Sequence, residues 1–312
     1  MKLIGHKEIE ELNLNPAVMW DWVDDALRHK TEMLMPAKIS INPGKDCFWN
    51  TMPIVMPSVG IAGVKLVNRY PDRSPALDAK ILLYSTETGK PLALIDGNYI
   101  TTMRTGAVAV HSADILAVPE YQSIAMVGLG NTARAAMLVL AHRHPDREFD
   151  VRLVKYKNQH RLFSERFSGY PNLHFSYCDS LEEAAVGAKV VFSAVTVFHE
   201  DVVSPEVFEP GTTLIPIHTR GFMQADLVFD RIYGDETSQI EHFKYFNHFP
   251  NFAEVAEVLT KKKPGRTSME ERILVYNIGI VAHDFYFANK ILQLIPDSAQ
   301  INVSEPAGKF WL

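Results

Sequence analysis

Residues Ser123-Ile124-Ala125-Met126-Val127-Gly128-Leu129-Gly130-Asn131-Thr132-Ala133 decide the fold. The stretch SIAMVG (123–128) reads as a buried strand and TARAAMLVLAHR (132–143) as a helix. The turn between them has the pattern G-x-G-x-x-A. Gly128 permits a tight turn, Gly130 lets the backbone approach a pyrophosphate, and Ala133 lets the helix pack closely on the strand. The unpaired N–H groups and positive dipole end of that helix would then face the anion. Alone the pattern is weak, and its placement after a strand and before a helix gives it weight. The competing reading is a glycine-rich turn that binds nothing.

Working outward, DVRLVKY (150–156), HFSYC (174–178), VVFSAV (190–195), TTLIPI (212–217) and DLVFD (226–230) read as further strands. Helices fall between them, one through Phe163 and Phe167 and one opened by the capping box Ser180-Leu181-Glu182-Glu183. Such alternation predicts a parallel sheet covered on both faces, a Rossmann-type α/β domain. An NAD site usually carries an acid at the end of the second strand. Here that strand ends Val154-Lys155-Tyr156-Lys157, and Asp150 lies at its start. Lys155 and Lys157 suit a ribose 2′-phosphate, so the expected cofactor is NADP or NAD, with a lean to NADP. Merely solvated lysines are the competing reading. The expected cofactor residues are Gly128, Leu129, Gly130, Asn131, Thr132, Ala133, Lys155, Lys157 and Thr196.

Upstream, the pattern changes. Asn15-Pro16 is an N-cap followed by proline at the first helical position. Between Lys38 and Leu94 come the β-type runs AKISIN, MPIVMP, VKLVNRY, AKILLYS and PLALID, the last two joined by a turn at Glu87-Thr88-Gly89-Lys90. A mainly antiparallel sheet follows from these, then an Ala-rich helix over 101–116. A final helix is expected over 268–294, apolar nearly all round and therefore buried or at a subunit interface. The predicted organisation is a discontinuous α+β domain, 1–115 and 280–312, around a Rossmann domain, 116–279.

Composition narrows the function. The 312 residues carry 31 Lys+Arg against 37 Asp+Glu, a net charge of -6, which argues against nucleic acid as a partner. The longest apolar runs, such as ILVYNIGIVA (273–282), fall far short of the roughly 20 residues a bilayer requires. With 47% hydrophobic residues and two cysteines, a cytoplasmic soluble protein is expected rather than a disordered chain or a disulfide scaffold. The twelve histidines show no metal-binding spacing, so no metal is expected. There is no G-x-S-x-G elbow. The aromatic cluster Phe243, Tyr245, Phe246, Phe249 and Phe252 reads as packing or a lid.

Three segments carry a family likeness: Gly63-Val64-Lys65-Leu66-Val67 leading to Tyr70-Pro71; Asp96-Gly97 followed by Ile100-Thr101-Thr102-Met103-Arg104-Thr105-Gly106-Ala107; and Lys263-Pro264-Gly265-Arg266-Thr267-Ser268, then Gly279 and Ala282-His283-Asp284. With the glycine turn, they resemble the ornithine cyclodeaminase/mu-crystallin family in order from about residue 35 to 292. The resemblance implies an NAD(P)-dependent enzyme of amino or imino acids, with a second domain that binds substrate and forms a homodimer. It also implies that Lys65 and Arg104 hold the substrate carboxylate, with Lys38 where the family often has a further carboxylate-binding Arg. Lys cannot form the planar fork of Arg, so that last likeness is the weaker one. Read without the family, Arg104 suits a carboxylate clamp or an ion pair such as one with Asp96. Lys65, in an apolar strand, reads as solvated.

The sequence departs from the family in the loop Ile217-His218-Thr219-Arg220-Gly221-Phe222-Met223-Gln224-Ala225-Asp226. No Asp stands early in it, where cyclodeaminases carry their acid/base. His218 can move a proton near neutral pH, whereas Arg220 stays charged and suits a second carboxylate. Lys65, Arg104, His218 and Arg220 are the expected catalytic residues, and Lys38, Lys65, Arg104 and Arg220 the expected substrate contacts. The reaction expected is hydride transfer at the amine or imine carbon of an amino or imino acid, a dicarboxylic or N-carboxyalkyl one if Arg220 binds. The alternatives are ornithine cyclisation to proline with release of ammonia, and a non-catalytic cofactor- and ligand-binding protein.

Overall fold

The computed structural model describes residues 1–195, 198, 200–217, 221–296, 298–302 and 308. The helices are α1 (His6–Glu11), α2 (Pro16–Arg28), α3 (Gly97–Leu116), α4 (Asn131–Arg143), α5 (Gln159–Arg166), α6 (Leu181–Ala185), α7 (Val255–Leu259) and α8 (Val281–Leu294). Contacts divide the chain into two units.

The first unit comprises Met1–Leu14, Glu32–Ile100 and Asp284–Leu312. Its strands are β1 (Lys2–Ile4), β2 (Ile39–Gly44), β3 (Cys47–Met56), β4 (Ile61–Arg69), β5 (Leu77–Ser85) and β6 (Pro91–Asp96), with a short strand Ala299–Gln300 at the edge. From β2 to β6 each strand pairs antiparallel with the next, as the runs and turn signals predicted. β1 joins β6 in parallel, and Ala299–Gln300 runs antiparallel to β1. Strand alternation sends Met52, Ile54, Met56, Ile81 and Leu83 into the core. The described part of α8 in this unit covers that inner face. A Cβ at Gly63, whose φ is +154°, would stand 1.9 Å from the carbonyl oxygen of Leu82 and 2.9 Å from the ring of Phe285. Only glycine fits there.

The second unit, Asn15–Thr31 and Thr101–His283, is built on an eight-stranded parallel sheet. Its strands are β7 (Ser123–Val127), β8 (Phe149–Val154), β9 (Leu173–Cys178), β10 (Val190–Ser193), β11 (Thr213–Pro216), β12 (Arg231–Gly234), β13 (Ala253–Glu254) and β14 (Ile273–Tyr276). They lie in the order β9-β8-β7-β10-β11-β14-β12-β13, the doubly wound pattern with its reversal between β7 and β10. Helix α3 crosses α4 at Gly106, where a Cβ would come 2.4 Å from the backbone nitrogen of Ala136. Asn15 caps α2 by accepting from the Ala17 N–H at 3.0 Å, with Pro16 at the first position.

Several expectations are corrected. Residues 268–294 are not one helix, because Ile273–Tyr276 is a central strand and the helix starts at Val281. A short apolar run bounded by polar residues suits either state, and pairing with β11 and β12 decides it. DLVFD is not a strand: Met223–Leu227 forms a 3-10 turn and the strand is Arg231–Gly234. The unit boundaries fall at 100 and 283, where 115 and 280 were expected, and residues 15–31 belong with the parallel sheet. The reason is packing. Arg143 stacks over the Trp20 ring at 4.1 Å, and His111 meets Asp24 at 3.1 Å, tying α2 to α4 and α3. Among the described residues no helix is long and apolar enough to cross a membrane.

Candidate functional site

The glycine turn lies at the reversal point of the parallel sheet. Gly128 takes a φ of +81°, and a Cβ there would stand 2.6 Å from the carbonyl carbon of Ala194 and 2.7 Å from the nitrogen of Val195. The ends of β7 and β10 therefore meet through bare backbone. Gly130 is the N-cap of α4, and a Cβ on it would meet nothing within 4 Å. The space in front of the helix N-terminus is open at the position where a pyrophosphate would need it, while Ala133 is fully buried behind. Leu129 is buried beside the turn, and Asn131 and Thr132 form the first turn of α4. These residues fit a dinucleotide.

The second-strand lysines have partners of their own. Lys155 Nζ lies 2.8 Å from Asp179 Oδ1, and that carboxylate raises the ammonium pKa. Lys157 has a φ of +49° and sets its Nζ 5.2 Å above the Tyr156 ring. Thr196, His218 and Arg220 lie outside the described residues.

Asp201 accepts from the backbone N–H groups of Met223 and Gln224, at 2.5 Å and 3.2 Å. Val202 donates its N–H to the Gly221 carbonyl at 3.0 Å. Next to this clasp, Asp226 is buried and accepts from the Tyr276 hydroxyl at 2.6 Å. Burial raises the Asp226 carboxyl to about 7, the Tyr276 hydrogen bond opposes the rise, and the negative charge of Asp201 adds to it.

Of the cations expected to hold substrate, Lys65 and Arg104 are buried near a carboxylate. In the first unit, Lys65 is 1% exposed and its Nζ sits 2.6 Å from Oδ1 of the fully buried Asp284. It is not a solvated strand lysine: β4 turns it, like Gly63, toward α8. Lys38 stands just before β2 and is partly exposed. In the second unit, Arg104 is buried on α3. Its guanidinium lies against Gly279, so close that a Cβ there would be 2.6 Å from one terminal nitrogen and 3.1 Å from the other. Behind Gly279 is Asp235, also buried, which accepts from the Gly279 N–H at 2.8 Å and from Asn277 Nδ2 at 3.3 Å. Burial pushes the Asp235 carboxyl up, and the Gly279 N–H and the positive charge of Arg104 hold it down. Asp96, the ion-pair partner considered for Arg104, is engaged by Lys80 at 3.2 Å.

Comparison with known proteins gives the family. The profile of the ornithine cyclodeaminase/mu-crystallin family matches residues 3–298. The chain belongs to that family. The nodulation efficiency protein NfeD of Rhizobium meliloti is 24% identical over 310 residues, 94% of this chain and 95% of the relative. Mouse ketimine reductase mu-crystallin is 29% identical over 168 residues, 53% of this chain and 52% of its own length. Among solved structures, the Δ1-pyrroline-2-carboxylate reductase of Thermococcus litoralis, in complex with NADH and L-proline, superposes with a TM-score of 0.83. It is 22% identical and covers 94% of this chain and 97% of its own. That likeness is one of fold.

Asp284 and Asp235 are the residues sequence reasoning missed as site-builders. Asp284 stood inside a quoted family segment without a role. Asp235 directly follows β12, and an acid just past the end of a buried parallel strand was the signal available.

Proposed function

We propose that the chain is an NAD(P)H-dependent reductase of imino acids, with Lys65 and Arg104 binding the substrate carboxylate. The observation that carries this reading is the burial of these two cations. Buried charges are costly and cluster at functional sites; Lys65 is ion-paired with Asp284, and Arg104 lies within the electrostatic reach of the buried Asp235, each within its own unit. NAD(P)H, bound at the Gly128–Ala133 turn, supplies the hydride. Lys65 and Arg104 then orient the imino acid by its carboxylate, which is positioning chemistry. Reduction of C=N also needs a proton at nitrogen, and His218 is the proposed donor. A dicarboxylic substrate is the finer reading, and it rests on Arg220.

NADPH is the proposed preference over NADH. Lys155 is paired with Asp179, and Lys157 stands two residues further on. The proposed assembly is a homodimer through the outer face of the first sheet. By register, Ile39, Ile41, Trp49, Val55 and Leu66 share one face, and all are exposed. Such an apolar patch marks an interaction surface.

The deciding experiment follows NADPH and NADH oxidation with Δ1-pyrroline-2-carboxylate and iminosuccinate, and assays ornithine for ammonia release. Reduction of an imino acid, lost by about 100-fold or more in Lys65→Ala and Arg104→Ala, is the expected result. Proline and ammonia formed from ornithine as the main turnover would overturn it.

A further inference from the structure

We infer that Gly279 is a positioning residue for Arg104, fixing where the guanidinium can lie, and that Asp235 holds Gly279 to that task. This rests on the reading that Arg104 binds the substrate carboxylate. Gly279 has a φ of +83° and lies just before α8. Its missing side chain is what gives Arg104 room: Nη1, Nη2 and Cζ would lie 2.6, 3.1 and 3.3 Å from a Cβ on residue 279. The backbone cannot drift away from this contact. The Gly279 N–H is tied to Asp235 Oδ2 at 2.8 Å, and the Asp235 carbonyl is tied to Lys30 Nζ at 2.6 Å. Asn277 Nδ2 bridges Asp235 Oδ1 and Ser112 Oγ, at 3.3 and 3.0 Å, fixing the strand end against α3 two turns beyond Arg104.

The group that must yield to an added methyl is the far end of a flexible side chain rather than backbone. Gly279→Ala therefore displaces the Arg104 guanidinium, and a shift of about 1 Å in a substrate clamp costs on the order of 10- to 100-fold. A glycine needed only for its positive φ would behave differently, since its replacement would act on the backbone whatever stands at residue 104.

The test is a double-mutant cycle on the full chain with Gly279→Ala, Arg104→Lys and the pair. Kd is read for pyrrole-2-carboxylate, an unreactive planar carboxylate, on the NADPH complex through nicotinamide fluorescence. Gly279→Ala is expected to weaken pyrrole-2-carboxylate about 10-fold or more while NADPH affinity stays within about 2-fold. With Lys at 104, whose slimmer ammonium leaves the Cβ position clear, the same substitution is expected to cost less than about 3-fold. Equal losses in both backgrounds would overturn the inference. If Gly279→Ala alone does not fold, adding Arg104→Lys is expected to restore folding, and failure to do so also overturns it. An Arg104→Lys protein that binds pyrrole-2-carboxylate like the parent would instead refute the carboxylate role of Arg104.

Discussion

Lys65 and Asp284 show at the level of single residues what a buried ion pair does and does not contribute. Their mutual attraction is offset by the loss of hydration of both charges, so the pair adds little net stability, yet removing one partner strands the other in the core. Asp284→Ala is accordingly expected to lower the unfolding free energy by about 3–5 kcal/mol and to abolish turnover. Urea unfolding at neutral pH measures the first effect, and a change within about 0.5 kcal/mol of the parent contradicts it. The sequence alone reads Lys65 as a solvated strand residue, because period-2 alternation cannot say which face of β4 is covered. The carboxylate role proposed for it rests on the family likeness. The turn Gly128–Ala133 was legible directly, since each of its small residues answers a steric demand that the structure bears out at Gly128. Asp235 and Asp284 were not legible as partners, because a charge interaction across 131 residues, as between Arg104 and Asp235, leaves no local pattern.

Among elements, the loop before β14 depends on Arg266. Its guanidinium donates to the carbonyls of Leu116, Ser268, Glu271 and Gly211 and to the Thr213 hydroxyl, so one side chain pins the end of α3, the loop and the start of β11. Arg266→Ala is expected to cost about 2–4 kcal/mol. Arg266→Lys is expected to recover less than half of that, because a single ammonium cannot span acceptors on three elements. Thermal unfolding of the two variants separates them, and full recovery by lysine would remove the argument. The same region shows why the sequence misplaced an element. ILVY is separated from the apolar helix after it only by Asn277 and Gly279 among apolar residues, and tertiary pairing turns the first part into a strand. In the antiparallel unit, by contrast, glycine turns close the β2–β3, β3–β4 and β5–β6 hairpins, and PLALID matches β6, although the run read for β3 begins at Met52 and the strand at Cys47.

For the whole molecule, the acidic balance meets a buried acid at Asp226. Its carboxyl titrates near 7 when folded, against 3.8 for an exposed one. Between those values the native state binds more protons than the unfolded chain, so this group's contribution to stability falls as pH rises from about 4 to 7. Asp226→Asn is expected to flatten that fall, by roughly 1.4 kcal/mol for each unit of displacement. Chemical denaturation at pH 5 and pH 7.5 reads the difference, and an unchanged slope in the variant counts against it. A first unit drawn from both ends of the chain was expected, because the last helix reads as apolar nearly all round, whereas the second unit was expected to be continuous and is itself split. The assignment of 15–31 was not, since an amphipathic helix does not announce which sheet it will cover.

The first unit takes its last part from the far end of the chain. Asp284, the partner of Lys65, and the strand Ala299–Gln300 beside β1 leave the ribosome after everything else in that sheet. During synthesis the seven-stranded sheet must wait, with its inner face uncovered and the Lys65 ammonium without its carboxylate, while the parallel sheet of the second unit can already assemble through β14. A nascent chain stopped before Asp284 would thus hold a nearly complete nucleotide-binding fold attached to a sheet that cannot close. This is the kind of half-finished species that chaperones retain.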